Sequence, residues 1–367
     1  MNKFQSDLAA IVETPNATYP IWVGWDILNE LGERLSEIIT PGKLFLVTDE
    51  YVHNHASDVA SSLSNSGFDS KTFVMTSGES NKNLDTVLKI YEWLAINKAE
   101  RGDMILAVGG GVVGDIAGYV AATFLRGIAF AQIPTTLLAI MDSSIGGKVG
   151  VDLPQGKNLV GAFYQPKFVL SDVKTLETLP ERELNSGWAE AIKHGLILDK
   201  QLFESFETDS KRIKSLHPEI ATQIIRKSVA IKANVVSKDE KETLGIRILL
   251  NYGHTIGHAI EASTNYMSYL HGEAVSIGMM AAAYISESIG LLDHQSVERQ
   301  KVVLQNYGLP IDSTELNMDL ILETMKSDKK TSRGTINWVV LDEIGEAKTN
   351  NQVDLKIVKE AINKISV

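Results

Sequence analysis

Asn251–Ala262 reads NYGHTIGHAIEA, which sets His254 and His258 at i and i+4 on one helix face. His271 opens a further helical run, HGEAVSIGMM. One turn between two imidazoles suits a single metal ion, or one imidazole on an ion and the other on a substrate. Glu190, in GWAEAIKHG, is an acid set in an otherwise apolar stripe, and His194 one turn later reads as a core histidine. His53, His55, His217 and His294 lie in polar surroundings and read as surface residues.

A second group is cationic. Arg126, Lys148, Lys157 beside Asn158, Lys193, Lys232, Arg247 and the pair Lys329-Lys330 sit in glycine-rich or apolar sequence, not on plainly solvated faces. Lys supplies a compact charge and Arg a bidentate fork, so such a set fits a small substrate with more than one anionic group. Taken singly, Lys232, Lys329 and Lys330 read equally as solvated surface lysines.

The third group is Gly109–Gly114, GGGVVG, between a short apolar run and a helical one. Strand, glycine turn and helix N-terminus form a place for a dinucleotide pyrophosphate, because free N–H groups and the helix dipole favour an anion there. The usual fingerprint belongs to the first strand, with an acid about 20 residues later. Here several strands come first, and Asp49, the candidate ribose acid, precedes the glycines.

The elements that must hold these residues divide the chain. Short runs at Tyr19–Val23, Lys43–Thr48, Lys71–Met75, Met104–Val108, Ile128–Ile133 and Lys167–Ser171 read as strands. Helical patterns lie at Ile27–Ile38, Val52–Ser66, Leu84–Asn97 and Val112–Phe124. Alternation of this kind predicts an α/β domain over residues 1–180, with a mostly parallel sheet and ligands at the carboxyl ends of its strands. From residue 181 to 367 the pattern predicts an all-α metal- and substrate-binding domain, with helices at 181–196, 200–209, 217–238, 248–264, 271–289, 295–306 and 317–326. One late strand at Thr335–Leu341 and a closing helix near Leu355–Ile365 follow.

Composition narrows the function. The 367 residues are 44% hydrophobic and 22% charged, with a net charge of -11, which disfavours nucleic-acid and anionic-membrane partners. Without cysteine there is neither disulfide nor thiolate metal site, so His, Asp and Glu remain as strong ligands. The first residues lack a long apolar segment, and no run of about 18 apolar residues occurs; the expected location is cytoplasmic.

The motifs GGGVVGDIAGYVAATFLRGI, QIPTTLLAIMDSSIGGKVGVDLPQGKNLVGAFYQP, LETLP, GWAEAIKHG, LLNYGHTIGHAIE and HGEAVSIGM resemble those of the 3-dehydroquinate synthases, over roughly residues 40–345. The resemblance implies a cytoplasmic, homodimeric, NAD- and zinc-dependent lyase, with Co²⁺ as an alternative ion. Such an enzyme turns 3-deoxy-D-arabino-heptulosonate 7-phosphate (DAHP) into 3-dehydroquinate and phosphate in the shikimate pathway, toward chorismate and aromatic amino acids. The implied course is transient oxidation by NAD⁺, phosphate elimination, reduction, ring opening and intramolecular aldol closure. Glu190, His254 and His271 are the implied metal ligands, with His258 near the reacting hydroxyls. The implied cofactor contacts are Asp49, Glu79, Lys82, Gly110, Gly111, Asp115, Thr135, Thr136, Asp142, Ser143 and Thr178, with Lys157 between cofactor and substrate. The implied substrate contacts are Lys148, Asn158, Lys193, Lys232, Arg247, Asn251 and Lys330, with Arg126 reaching across a dimer interface.

Two features depart from the family pattern: Tyr51 stands where Asn is frequent, and DEKETLGIR (239–247) is one residue longer than DExExGxR. Three rivals share parts of the reading. A metal-dependent polyol dehydrogenase has little use for so many cations. Other sugar phosphate cyclases differ mainly in substrate contacts, and a nucleotide-binding regulator needs no metal ligands.

Overall fold

A computed structural model describes all residues except 1–3, 265–266, 315, 328–330 and 333–334. The chain forms two compact units, Met1–Leu179 with Pro218–Ser237, and Pro180–His217 with Lys238–Val367.

The first unit is built on strands β1 (Leu8–Thr14), β2 (Ala17–Gly24), β3 (Leu44–Asp49), β4 (Ser70–Met75), β5 (Met104–Gly109), β6 (Ala129–Pro134) and, after a separate hairpin of β7 (Lys148–Leu153) and β8 (Gly156–Phe163), β9 (Val169–Asp172). The seven sheet strands run in the order β1-β2-β9-β6-β5-β3-β4, all parallel except the β1–β2 pair. β3 and β5 are apolar along nearly their whole length because both faces of the sheet are covered. Leu44, Leu46, Leu106 and Val108 pack on one side with Leu31, Leu35, Val59 and Leu63 of helices α1 (Leu31–Ile38) and α2 (His53–Asn65). Phe45, Val47, Ile105 and Ala107 pack on the other with α3 (Leu84–Ile96) and α4 (Gly111–Thr123).

The strand order reverses between β3 and β5. β4 lies to one side of β3 and β5, β6 and β9 to the other, so a crevice forms beyond the carboxyl ends of β3 and β5, where doubly wound sheets bind ligands. Val47 pairs with Ala107, which sets Asp49 level with Gly109 across that point.

The second unit holds α5 (Glu181–Leu198), α6 (Lys200–Thr208) and α7 (Ser210–Lys214); α8 (Pro218–Lys238) follows but packs with the first unit. Then come α9 (His254–Ser263), α10 (His271–Ser288), α11 (His294–Asn306), α12 (Met318–Ser327) and α13 (Leu355–Lys364). Among the described residues, no helix is long and apolar enough to cross a membrane.

The structure refines four expectations. A division at residue 180 alone does not describe the chain, because α8 bonds to first-unit groups: Arg226 Nε donates to the Val23 carbonyl (2.6 Å) and Ser237 Oγ accepts from Glu13 N–H (3.0 Å). The second unit is helical as expected, and its late strand has a partner, Trp338–Glu343 pairing antiparallel with Glu346–Asn350. The run 248–264 is not one helix: a 3₁₀ turn, Arg247–Asn251, ends before Gly253, whose φ of 79° breaks the path before α9. Strands β1, β7 and β8 join those expected.

Candidate active site

Backbone closeness organises the first half of the site. A Cβ on Gly110 would lie 3.1 Å from Thr136 Cγ2, and one on Gly111 would lie 3.0 Å from Ser143 Oγ. The bare turn therefore nests against the residues after β6, and α4 starts there with the free N–H groups of its first turn. Thr135 N–H donates to the Gly109 carbonyl (3.0 Å), and Thr136 Oγ1 accepts from Ala139 N–H (3.2 Å). Asp142 and Ser143 belong to a π-helical turn, Ala139–Ser143, which widens the backbone beside the glycines. Gly110, Gly111, Thr135, Thr136, Asp142 and Ser143, scattered over 34 positions of sequence, thus meet at one strand end. This cradle fits a dinucleotide pyrophosphate.

Asp49 caps its own turn, accepting from the N–H groups of Tyr51 (2.9 Å) and Val52 (3.3 Å); burial nonetheless raises its pKa above the ordinary value. Tyr51 is 86% exposed. Thr178 Oγ1 bonds the His55 ring (2.9 Å), so His55, read as a surface residue, has a partner beside the expected cofactor contacts.

A charged network ties β7–β8 to the segment after β4. Lys82 Nζ lies 2.5 Å from the Asp115 carboxylate and donates to Asn158 Oδ1 (2.6 Å). Lys157 pairs with Glu79 at 3.1 Å. Burial pushes the Asp115 carboxyl up to about 6, and the ammonium of Lys82 opposes that rise. Asn158 holds a left-handed φ of 54°, fixed by its N–H donating to Asp152 Oδ1 (2.7 Å); Asp152 N–H in turn donates to the Lys82 carbonyl (2.8 Å). Sequence reading missed Asp152, because its partners are backbone groups that no motif announces. Lys148 opens β7 and is exposed. Arg126 is exposed in a turn where Leu125, Arg126 and Gly127 have successive φ values of 51°, 68° and 118°. Lys232, read equally as a solvated lysine, is 4% exposed and ion-paired with Asp142, whose backbone carbonyl it also meets at 2.7 Å.

In the second unit the ionisable residues of α5, α9 and α10 converge. Gly253 precedes α9 with positive φ, and a Cβ there would fall 2.6 Å from Met279 Cγ and 2.8 Å from the Val275 carbonyl; α9 can cross α10 this closely only at glycine. The crossing brings the rings of His254 and His271 to 5.3 Å, while the one-turn spacing along α9 sets those of His254 and His258 5.2 Å apart. Ser186 Oγ accepts from Gly272 N–H (3.0 Å). Glu273 accepts from Leu270 N–H (2.8 Å) and forms a bidentate pair with Arg182, so the start of α10, and His271 with it, is held from two sides.

Glu190 is fully buried, with Oε1 3.6 Å from His254 Nε2 and 3.7 Å from His271 Nε2. Tetrahedral zinc with bonds near 2.0–2.1 Å sets its ligands about 3.3–3.5 Å apart, so one carboxylate and two imidazoles at these separations fit a divalent ion and leave a fourth position. Burial disfavours a charged His271, but Glu190 and Glu261 on either side push its pKa up to about 10; the pair of carboxylates makes this a place for positive charge. Lys193, one turn along α5 and 1% exposed, is ion-paired with Glu190. Arg247, 4% exposed, donates to the Glu240 carbonyl (2.5 Å), and Asn251 ends the same turn. Asp239 organises that loop by accepting from the N–H groups of Thr243, Leu244, Ile246 and Arg247 at 2.8–3.1 Å. His194 is buried, as expected of a core histidine. Lys330 lies outside the described residues.

Residues 72–186 match the description 3-dehydroquinate synthase N-terminal, and residues 187–331 match 3-dehydroquinate synthase C-terminal. A 3-dehydroquinate synthase of Picosynechococcus sp. is 42% identical over 361 residues, covering 97% of this chain and 98% of the relative. Among solved structures, ValA, the 2-epi-5-epi-valiolone synthase of Streptomyces hygroscopicus subsp. jinggangensis with NAD⁺ and Zn²⁺ bound, superposes with a TM-score of 0.88 at 26% identity, over 95% of this chain and 97% of that one. A 2-deoxy-scyllo-inosose synthase complexed with carbaglucose-6-phosphate, NAD⁺ and Co²⁺ gives 0.84 at 28% identity, over 97% and 99%.

Proposed function

This chain belongs to the 3-dehydroquinate synthase family, and from that premise we propose which of its residues carry the reaction and with what resident groups. It is an enzyme that forms 3-dehydroquinate; the substrate is DAHP and the second product phosphate. NAD and a divalent ion, Zn²⁺ with Co²⁺ as alternative, are the resident groups, as the two liganded cyclases suggest. The observation that carries this reading is the triad Glu190, His254 and His271 at spacings suited to one ion.

When bound, NAD⁺ supplies a reversible hydride acceptor and the ion a Lewis acid. The protein's part is placement and proton handling. Gly110, Gly111 and the first turn of α4 receive the pyrophosphate; Thr135, Thr136, Asp142 and Ser143 line it, and Asp49 takes a ribose. Glu79, Lys82, Asp115 and Thr178 complete the cofactor contacts, with Lys157 beside them. Asn158, Lys148 and Arg247 hold the phosphate of the substrate in a conformer suited to elimination, and fixed orientation of this kind contributes several of the roughly 7–11 kcal/mol available from proximity. Lys193, Lys232, Asn251 and Lys330 hold the carboxylate and ring hydroxyls. His258 relays a proton, a role suited to a group whose unperturbed pKa is about 6.5.

The exposed, strained turn at Arg126 supports a homodimer in which Arg126 serves the partner's substrate. A left-handed non-glycine residue costs about 1–3 kcal/mol and persists where its surroundings hold it there. The acidic composition supports a setting without nucleic acid or anionic membrane, and the family membership is the ground for proposing a cytoplasmic one.

The test is to supply DAHP, catalytic NAD⁺ and Zn²⁺ and follow phosphate and absorbance at 340 nm together. Phosphate is expected in proportion to substrate consumed while the absorbance stays flat, because each hydride returns within a turnover. Steady NADH accumulation would instead indicate a net dehydrogenase.

A further inference from the structure

Each imidazole of the triad has a second ring nitrogen. His254 Nε2 faces Glu190, and its Nδ1 meets the Tyr252 carbonyl at 3.2 Å, an acceptor that requires Nδ1 to carry the proton and leaves Nε2 as the lone-pair nitrogen. His271 repeats the arrangement with a side chain in place of the carbonyl: Nε2 faces Glu190, and Nδ1 lies 3.4 Å from Glu261 Oε1. Glu261 is 7% exposed on α9, three residues beyond His258 and seven beyond His254, so it shares their helix face. A carboxylate this buried needs a compensating partner.

We infer that Glu261 is a positioning residue, which holds the His271 ring through Nδ1 so that Nε2 is presented to the ion. The inference rests on assigning the ion to Glu190, His254 and His271. Glu261 also belongs to a second group within reach of one ion, with His258 and His271. An ion placed there would take His271 through Nδ1 and leave the Glu190–His254 pair one ligand short. The buried Glu190, facing two imidazoles, favours the first location. A carboxylate behind a metal-bound imidazole fixes its tautomer and raises its basicity, and loss of such a partner lowers metal affinity about 10–100-fold.

The test measures Co²⁺ affinity by competition with a chromophoric chelator, together with the visible spectrum of the Co²⁺-loaded protein. The proteins compared are the parent, Glu261→Gln, Glu261→Ala and His254→Ala, each checked for folding by circular dichroism. Glu261→Ala is expected to weaken Co²⁺ about 10–100-fold with a shifted spectrum. Glu261→Gln is expected to lose less, since its amide oxygen still accepts from Nδ1–H. Parental affinity in both Glu261 variants overturns the inference. A loss in Glu261→Ala as large as that in His254→Ala makes Glu261 a ligand and also overturns it. Should Glu261→Ala fail to fold, Glu261→Gln decides by the same comparison, with parental affinity and an unshifted spectrum counting against the inference. If His254→Ala itself binds Co²⁺ like the parent, the metal assignment fails, a result distinct from failure at Glu261.

Discussion

Lys148 opens β7 at an exposed position, so its charge is of little use to the core. Lys148→Ala is expected to change stability by no more than about 0.5 kcal/mol, as exposed substitutions do. Loss of one charge-assisted hydrogen bond, at about 1.5–3 kcal/mol, lowers kcat/KM roughly tenfold to 150-fold while NAD⁺ affinity holds. Steady-state kinetics with a parallel NAD⁺ titration checks this, and unchanged kinetics would remove Lys148 from the substrate pocket. His254, His258 and Glu190 were legible as a group because their spacing and apolar surroundings mark them. Lys232 was not: its sequence neighbours suit a surface lysine equally, and its burial finds a cause in its ion pair with Asp142, ninety residues away, and its bond to the same residue's carbonyl. Glu261 and Asp152 were missed for a related reason: the first acts on another side chain and the second on the backbone N–H of Asn158, and neither carries a motif of its own.

At the scale of elements, the loop 239–247 is a clear case of local order around one acid. Burial opposes the charge on Asp239, but the four N–H groups of Arg247, Leu244, Thr243 and Ile246 hold its pKa below the ordinary carboxylate value. With the folded pKa below the unfolded one of about 3.9, the stabilisation is fully present above that range and is lost as pH falls through the folded pKa. Asp239→Asn is therefore expected to destabilise the protein by about 1–3 kcal/mol at pH 7, with the gap to the parent narrowing in acid. Urea unfolding at pH 7 and pH 3 measures both; an equal gap at the two pH values would show that the charge is not what holds the loop. The β3–α2 and β5–α4 units were legible because their apolar runs are long and both sheet faces are buried. The β7–β8 hairpin was hidden by its own glycines: Gly150 pairs with Gly161, and a Cβ on Gly150 would fall 2.6 Å from the Val160 carbonyl. Glycine has low strand propensity, so the close backbone contact that requires it also erases the strand signal. At Gly253 the apolar period of a helix continues across a residue whose φ is positive, and periodicity does not register the break.

For the whole molecule, α8 decides how the chain can be divided. Its helical period was evident, but its allegiance depends on Arg226, Lys232 and Ser237 finding Val23, Asp142 and Glu13, which no local pattern announces. Residues 1–180 produced alone lack all three bonds and are expected to unfold without cooperativity. The same segment joined by a flexible linker to residues 218–237 is expected to regain a sharp thermal transition. Parent-like cooperative melting of 1–180 by itself would show that α8 is dispensable to this unit. The arrangement also sets a timetable. On the ribosome, the sheet of the first unit is complete in sequence once β9 has emerged, yet the helix that finishes its packing follows only after Pro180–His217, a stretch belonging to the other unit, has been made. Neither unit can therefore finish folding before synthesis of the other has begun, and a nascent chain paused anywhere between Leu179 and Pro218 exposes an unfinished surface to chaperones and proteases.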